Sequence, residues 1–102
     1  MKCGLHIGTG ELVIVQEILA RCLPPGSKVY AFGSRATGLR LKPWSDLDLA
    51  ISAPSALDWR QLAALEEEFD ESLLPWKVDV LDLSAISDSF RQLIEPDLRE
   101  LA

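Results

Sequence analysis

The sequence predicts an α/β (α+β) fold in which a small mixed sheet of three or four strands carries helices packed on one face. Stretches of helical period alternate with short stretches of strand period in the order αβ(loop)βαβα, which is typical of helices laid against a small sheet. Proline and glycine punctuate this order at Pro24, Pro25 and Gly26 and again at Pro75. With 102 residues, 48% of them hydrophobic and 25% charged, we expect one globular domain over residues 1–102.

The first helix and the first strand are predicted from the spacing of their apolar residues and from the proline and glycine residues that separate them. We expect a helix from about Gly10 to Leu23 with Thr9 as its N-cap, because apolar residues recur on one face. These residues are Leu12, Val15, Ile18, Leu19 and Cys22. The segment KVYAFG, residues 28–33, is apolar on both faces and therefore predicts a central, covered strand, followed by a loop over residues 34–45.

A second helix is expected between the second and third strands. Ser55, with Asp58 three residues later, has the spacing of a capping box, and the helix should run to about Leu74, before Pro75. Its predicted apolar stripe consists of Trp59, Leu62, Leu65, Phe69 and Leu73. The acidic run over residues 66–71 then forms a solvated helix end.

The remaining strands and the last helix follow from shorter signals. DLDLAIS, residues 46–52, alternates between polar and apolar residues and predicts the second strand, and KVDVLDL, residues 77–83, predicts the third. A last helix is expected from about Ser87 to Glu95. The tail from Pro96 to Ala102 is ambiguous, so the fourth strand is left open.

Composition and charge exclude several classes of function. The net charge of −6 makes the chain a poor general binder of nucleic acid, so we expect no direct nucleic-acid binding. The longest apolar stretch, residues 12–23, is interrupted by charged and polar residues and is too short to span a bilayer. Cys3 and Cys22 lack metal-ligand spacing, which favours two free thiols in a reducing cytoplasm.

Two aspartates at the start of the second strand are the sharpest chemical feature. Residues two apart on a strand share a face, so Asp46 and Asp48 project together while Leu47 and Leu49 project into a core. Two ionised carboxylates side by side repel each other, and a divalent cation between them removes the repulsion. An isolated Asp-x-Asp is nevertheless more often a solvated strand face.

A third aspartate is predicted on the same face. If Val78 and Val80 join the core, Asp79 emerges beside Asp46 and Asp48. Carboxylate oxygens suit Mg²⁺ or Mn²⁺, and three of them can hold two metal ions about 3.5–4 Å apart for in-line nucleotidyl displacement. In the alternation of this strand, Asp82 falls on the side opposite to Asp79 and is expected to be structural.

The loop after the first strand has the composition of a phosphate-binding segment. Gly33 allows close approach of a phosphate to the backbone, and Ser34 offers a hydroxyl and loop N–H groups. Arg35, Arg40 and Lys42 follow without any acidic residue up to Ser45, a local reversal in an acidic chain. Gly-Ser followed by a basic loop is by itself an ordinary turn, but here it precedes Asp-x-Asp.

Three aromatic residues near these segments are not assigned to catalysis. His6 is expected to be exposed and without function. Trp44, in the loop, is expected to pack or to contact a partner rather than to stack on a base. Trp76 is expected at the edge of the core, next to the third strand.

Together these segments resemble the polymerase-β-like nucleotidyltransferase superfamily, and within it the minimal nucleotidyltransferases. The likeness is carried by GSRATG at residues 33–38, SDLDLA at 45–50 and VDVLDL at 78–83, and it extends over roughly residues 10–95. Eleven residues separate Ser34 from Asp46 where family members commonly have ten, so we expect one residue to bulge near residues 42–44. The resemblance implies the nucleotidyltransferase fold.

The resemblance also implies roles for individual residues. Asp46, Asp48 and Asp79 would be the catalytic residues and the ligands of Mg²⁺ or Mn²⁺. Gly33 and Ser34 would bind the phosphates of the nucleotide substrate, ATP, and Arg35 would be a further phosphate contact. Asp79 would also activate the acceptor hydroxyl.

Stand-alone members of this branch are often paired with a HEPN-domain toxin. The resemblance therefore implies a cytoplasmic, Mg²⁺-dependent protein adenylyltransferase that transfers AMP from ATP to a tyrosine hydroxyl of the toxin, a type VII-like antitoxin. A chain this small leaves a nucleotide half exposed, so we expect a hetero-oligomer or a homodimer to complete the site. Two alternatives stay open: a non-catalytic module that neutralises the toxin by binding, and nucleotidyl transfer to a small molecule.

Overall fold

The computed structural model describes residues 5–101, which form a four-stranded mixed sheet flanked by helices. The elements in chain order are α1 (Thr9–Cys22), β1 (Lys28–Phe32), α2 (Ser34–Thr37), β2 (Leu47–Ser52), α3 (Trp59–Asp70), β3 (Val78–Asp82), α4 (Asp88–Ile94), a 3₁₀ turn (Glu95–Asp97) and β4 (Arg99–Glu100). This confirms the predicted fold class, with helix α2 added inside the predicted loop. Cys22 is a free thiol, whereas Cys3 lies outside the described residues.

The sheet has the strand order β3-β2-β1-β4, with β2 at an interior position. Strand β1 pairs antiparallel with both β2 and β4, and β2 pairs parallel with β3. A parallel pair needs a crossover connection, which α3 supplies between β2 and β3. The ambiguous tail does form the fourth strand, because Leu101 is buried in the core and its N–H donates to the carbonyl of Val29 over 2.7 Å.

The main core lies between one face of the sheet and helices α1 and α3. Its buried side chains include Val15, Ile18, Leu19, Val29, Leu47, Leu49, Ile51, Leu65, Phe69 and Val78. Burying one such side chain contributes about 1.5–3 kcal/mol, so this layer orients β2 strongly. The alternation of β2 then forces Asp48 onto the opposite face.

Helix α4 departs from the expectation that the helices pack on one face. Its Ile94 packs with Ala50 and Leu83 in a second, smaller cluster, which also includes Tyr30, Phe32 and Leu81 on the other face of the sheet. The 3₁₀ turn that contains Pro96 then returns the chain to the edge of β1. The second face is thus covered at one end only.

The starts of α1 and α3 differ from the predicted caps. The N-cap of helix α1 is Gly8 rather than Thr9, and the Glu11 carboxylate accepts the Gly8 N–H over 2.8 Å. Helix α3 is capped by Asp58, whose carboxylate accepts the Gln61 N–H over 2.8 Å while the Gln61 side chain accepts the Asp58 N–H. The capping box is therefore formed by this pair and not by Ser55.

Helix α3 is shorter than predicted, and two of its expected core residues are wrong. It ends at Asp70, so Leu73 lies beyond the last helical turn and is 91% exposed. Trp59, the first helical residue, is 73% exposed, because the packed stripe starts only with Leu62 and Leu65. Of residues 5–101, no helix is both long and apolar enough to cross a membrane.

Asp82, at the end of β3, fastens the β2–α3 connection to the sheet. It is only 3% exposed, and its carboxylate accepts the N–H of Leu57 and both the N–H and the hydroxyl of Ser84 over 2.8–2.9 Å. Burial alone would raise the pKa of Asp82, but these hydrogen bonds outweigh burial and hold the pKa below its usual value. The prediction that Asp82 is structural is confirmed.

We expect Asp82→Ala to lower the free energy of unfolding by about 3 kcal/mol, because it leaves buried N–H groups without an acceptor. Urea denaturation at neutral pH measures this, and Asp70→Ala on the exposed end of α3 should change it by no more than about 0.5 kcal/mol. Since the folded pKa is lowered, the contribution of Asp82 is present above the unfolded pKa of about 3.9 and is lost as pH falls through the folded value. Equal stability of the two variants would contradict this role.

Candidate active site

Asp46, Asp48 and Asp79 lie at the same end of the neighbouring strands β2 and β3. Asp48 lies in β2 directly opposite Asp79 in the parallel strand β3, which places their backbones about 4.8 Å apart. Asp46 precedes β2 by one residue and is exposed, whereas the other two are partly buried. The structure thus brings the predicted carboxylates to one edge of the sheet.

Electrostatics set Asp48 apart from the other two carboxylates. Burial, followed by the negative charges of Asp79 and Asp46, raises the pKa of Asp48 to about 6. No hydrogen-bond donor of the described residues is paired with its carboxylate, in contrast to Asp82. Asp48 therefore holds a negative charge at neutral pH in a place where the protein does not neutralise it.

The three carboxylates do not form a ready-made cage. The carboxylate of Asp79 lies 3.5 Å from the ammonium of Lys77, and this positive charge offsets part of the negative charge of Asp79. Across residues 5–101, no three side chains of His, Cys, Asp or Glu stand close enough together to hold a metal ion as they are placed.

Gly33 brings the backbone against Asp48 where β1 ends. Its φ is 77°, a backbone conformation that residues with a side chain rarely adopt. A Cβ added there would lie 2.5 Å from the nearer Asp48 carboxylate oxygen. The pairing of Phe32 with Asp48 across β1 and β2 makes this approach possible. Glycine is therefore required here by both conformation and space.

Ser34 begins the single turn of α2, immediately beyond Gly33. The carbonyl of Gly33 accepts the N–H groups of Ala36 and Thr37, which closes the turn. The first N–H groups of a helical turn have no partner within it, so those of Ser34 and Arg35 are available at this end. The residue before them, Gly33, has its backbone against the Asp48 carboxylate. Phosphate binding at this turn stays a prediction.

The side chain of Arg35 does not point outward as the predicted phosphate contact would require. It is only 6% exposed, and its three nitrogens donate to the backbone carbonyls of His6, Pro43 and Ser45 over 2.8–3.0 Å. The guanidinium carbon also lies 4.4 Å from the centre of the Trp76 ring. All of these groups belong to chain segments around the loop, so the guanidinium is used within the protein.

The sequence interpretation missed this buried anchor. Trp76 was predicted to be a core-edge residue, which its burial confirms, but its contact with Arg35 has no signature in spacing or composition. His6 is exposed as predicted, although its backbone is bound at both N–H and carbonyl by Arg35. A cleft of about 620 Å³ opens beside this anchor, and none of the three aspartates lines it.

The outer part of the loop is exposed and carries apolar and basic residues. Trp44 is 71% exposed, so it does not pack in the core, and the Lys42 ammonium lies 6.0 Å from its ring centre. A tight turn at Lys42–Ser45 places Trp44 at its tip, where the extra loop residue was expected. Arg40 has φ 57°, a left-handed conformation that costs free energy outside glycine.

Comparison with known proteins identifies the family of this chain. Residues 13–100 match the model of the family described as nucleotidyltransferase domain. The chain is also 48% identical over 90 residues to a probable protein adenylyltransferase, MntA, of Haemophilus influenzae, an overlap that covers 88% of this chain and 77% of the relative.

Solved structures share the fold. One is the crystal structure of a toxin–antitoxin with AMP-PNP, at TM-score 0.75 and 25% identity, covering 89% of this chain and 72% of the other. Another holds a tri-AMPylated HEPN toxin of Shewanella oneidensis in complex with MNT antitoxin, at TM-score 0.71 and 23% identity, covering 90% and 69%. The family predicted from the three sequence segments is thereby confirmed, and the chain belongs to the nucleotidyltransferase domain family.

Proposed function

We propose that this chain is a protein adenylyltransferase that transfers AMP from ATP to a tyrosine hydroxyl of a HEPN-domain toxin and so acts as its antitoxin. The observation that carries the proposal is the placement of Asp48 opposite Asp79, with the backbone of Gly33 against the Asp48 carboxylate. The similarity to a probable protein adenylyltransferase supports the reaction class. The AMP-PNP in a similar toxin–antitoxin structure supports ATP as the nucleotide.

A divalent cation, Mg²⁺ or Mn²⁺, fits the donor set of this site. The candidate ligands are the oxygens of Asp46, Asp48 and Asp79, which are the hard donors that these ions prefer. The unneutralised charge of Asp48 is the structural reason to expect a cation there, and Lys77 would then release Asp79. Such an ion, when bound, supplies positive charge that offsets the charge of the nucleotide phosphates.

The remaining chemistry is assigned to residues of the chain. The free N–H groups of Ser34 and Arg35 and the Ser34 hydroxyl would hold phosphate oxygens, so Arg35 would contribute its backbone rather than its guanidinium. The acceptor oxygen forms a bond to the α-phosphorus while the bond from that phosphorus to the bridging oxygen breaks, and pyrophosphate leaves. Asp79 would accept the proton of the tyrosine hydroxyl.

The acceptor is proposed to be a protein for a structural reason. The carboxylates lie at the uncovered end of a sheet face, and residues 5–101 provide no second lobe over them. The partner would cover this end and bring its tyrosine into line, in a hetero-oligomer. The fold match to an MNT antitoxin complexed with a tri-AMPylated HEPN toxin indicates the partner to test, and we place the pair in the cytoplasm.

AMP transfer is tested by intact mass spectrometry of a HEPN-domain partner protein, after incubation with the chain, ATP and Mg²⁺. We expect the partner's mass to rise by one or more AMP units. The double variant Asp46→Asn, Asp48→Asn should reduce the rate by at least about 10³-fold, because two of the three candidate metal ligands are lost. Peptide mapping should place the modification on tyrosine.

A charge-matched control separates loss of the site from loss of charge. Asp70→Asn with Asp88→Asn removes two negative charges from exposed helix positions and should transfer AMP at the wild-type rate. If wild type leaves the partner's mass unchanged while both double variants still bind and neutralise it, the transferase proposal is wrong. That outcome would favour the non-catalytic binding module.

Gly33→Ala should abolish most AMP transfer, because its Cβ would displace the Asp48 carboxylate and the backbone would be strained. We expect a loss of about 10²-fold or more in kcat/KM for ATP. Gly10→Ala is the matched control, since a Cβ on Gly10 meets no atom of the described residues within 4 Å and lies in helix α1. Similar activities of the two variants would remove Gly33 from the site.

Asp48→Asn should stabilise the metal-free protein while it inactivates the enzyme. The pKa of Asp48 is raised to about 6, so its contribution to stability is present at low pH and is lost as pH rises through about 6. Above that pH, we expect the variant to be more stable than wild type by about 1 kcal/mol, with the difference vanishing in acid. Urea denaturation without divalent cations, at pH values on either side of 6, measures this; a variant less stable than wild type would contradict it.

A further inference from the structure

We propose that Arg35 is a positioning residue whose guanidinium holds the phosphate-binding turn and the entrances to both carboxylate-bearing strands in one fixed arrangement. The inference rests on the proposed function and goes beyond it, because it assigns the geometry of the site to a side chain that contacts no reacting atom. The contacts of the guanidinium, its burial and the positions of its partners in the chain carry the argument.

The guanidinium joins two segments of backbone to helix α2, one at His6 and the other at Pro43 and Ser45. Its Nε donates to the carbonyl of Ser45 over 2.8 Å, and its two terminal nitrogens donate to the carbonyls of His6, at 2.9 Å, and Pro43, at 3.0 Å. The N–H of His6 donates in return to the backbone carbonyl of Arg35 over 2.7 Å. The planar guanidinium directs its donors in fixed directions, so these segments are held at defined positions relative to one another.

Each end of this network leads directly to a proposed catalytic group. Arg35 follows Ser34 in the phosphate-binding turn, and the carbonyl of Ser45 immediately precedes Asp46. On the other side, the guanidinium stacks on Trp76, which lies three residues before Asp79. One side chain therefore connects the turn to the entrances of β2 and β3.

The burial of a positive charge here calls for a role beyond packing. No carboxylate of the described residues forms an ion pair with Arg35, so its charge is solvated only by carbonyl dipoles and an aromatic face. Arginine is rarely buried without an ionic partner, and apolar side chains often replace buried charges without loss of stability. A three-way bond to backbone carbonyls is something that an apolar side chain cannot supply.

The loop that Arg35 holds has little other support. Between Gly38 and Ser45, the side chains of residues 39–44 are exposed. The hydrogen bonds of Lys42 with Ser45 are local to one turn and do not fix that turn against the sheet. At the start of the loop the Leu39 N–H donates to the hydroxyl of Thr37 in α2, and the anchor to Arg35 at Pro43 and Ser45 ties the far end of the loop to α2. Displacement of a catalytic group by about 1 Å can cost about 10²-fold in rate, so loss of this anchor should be seen in catalysis.

The test compares Arg35→Ala and Arg35→Lys with wild type in the full chain. Lysine keeps the charge but cannot donate along three fixed directions or stack as a planar group. We expect both variants to weaken binding of Mn²⁺ with ATP by at least about tenfold and to lower kcat/KM by about 10²-fold. Arg91→Ala is the matched control, because it removes an arginine bonded to a backbone carbonyl, that of Leu83, away from the loop, and should bind and react as wild type does.

Chemical rescue separates positioning from a general contribution to folding. The cleft beside Arg35 gives a small cation access to the space that Arg35→Ala vacates. Millimolar guanidinium, far below denaturing concentrations, should restore at least about tenfold of the lost kcat/KM of Arg35→Ala, whereas equal sodium or ammonium should not. Circular dichroism and thermal denaturation verify that each variant is folded under the assay conditions.

Clear results would overturn the proposal. Arg35→Lys that stays within about threefold of wild type in Mn²⁺–ATP affinity and kcat/KM would show that the fixed guanidinium is not required. Losses that only follow the unfolded fraction, without rescue by guanidinium, would also reject positioning. If wild type transfers no AMP, the proposed function fails, and the Mn²⁺–ATP binding comparison still decides the role of Arg35. If Arg35→Ala does not fold, Arg35→Lys carries the test.

Discussion

The parallel pairing of β2 with β3 places two aspartates opposite each other on a half-covered sheet face, and the rest of the site depends on this like-charge pair. Asp48 and Asp79 would separate if their strands could slip, but a slip by one residue would expose Leu47 and Leu49 to solvent. The packing of the apolar face therefore holds the repulsion in place. Hydrophobic burial worth several kcal/mol exceeds the cost of two neighbouring carboxylates.

Two buried or half-buried aspartates show how environment separates structure from function. Asp82 is surrounded by hydrogen-bond donors from Leu57 and Ser84, which lower its pKa and make it part of the scaffold. Asp48, three residue pairs along the same two strands, receives no such donors and has a raised pKa. Both aspartates lie on the strand pair β2–β3. The difference between their pKa values therefore comes from the groups that surround each carboxylate. The carboxylate without such donors, Asp48, is the one at which we propose that a cation binds.

A single buried side chain orients the loop after β1. The proposed phosphate-binding turn lies on the four-residue helix α2, whose buried apolar residue is Ala36. A buried guanidinium that bonds three carbonyls orients this turn with a single side chain. The outer side of the loop remains free, and it exposes Leu39 and Trp44 beside two basic residues at the edge of the site. An exposed apolar and basic surface of this kind suits contact with another protein.

Much of the fold and of the carboxylate cluster could be predicted from the sequence because both follow from periodicity. Alternation at residues 46–52 and 78–83 is sufficient to divide the aspartates from the core residues, and the register of β2 and β3 agrees with that division. Periodicity is a weaker guide at the ends of helices and strands. There the boundary depends on which side chains form hydrogen bonds with the backbone. Thus Asp58 and Gln61 displaced the expected cap, and Trp59 and Leu73 fell outside the packed stripe.

By itself, then, the sequence determined which carboxylates share a face, where the glycine of the proposed phosphate-binding turn lies and which family the chain belongs to. These properties depend on residues that are near each other in the chain. Only the tertiary structure decided the place of α4, the fourth strand and the direction of the Arg35 side chain. Each of these depends on distant partners: Ile94 on Ala50, Leu101 on Val29, and the guanidinium of Arg35 on His6 and Trp76. Contacts between segments far apart in the chain leave no periodic pattern in the sequence, so they can be seen only in the folded structure.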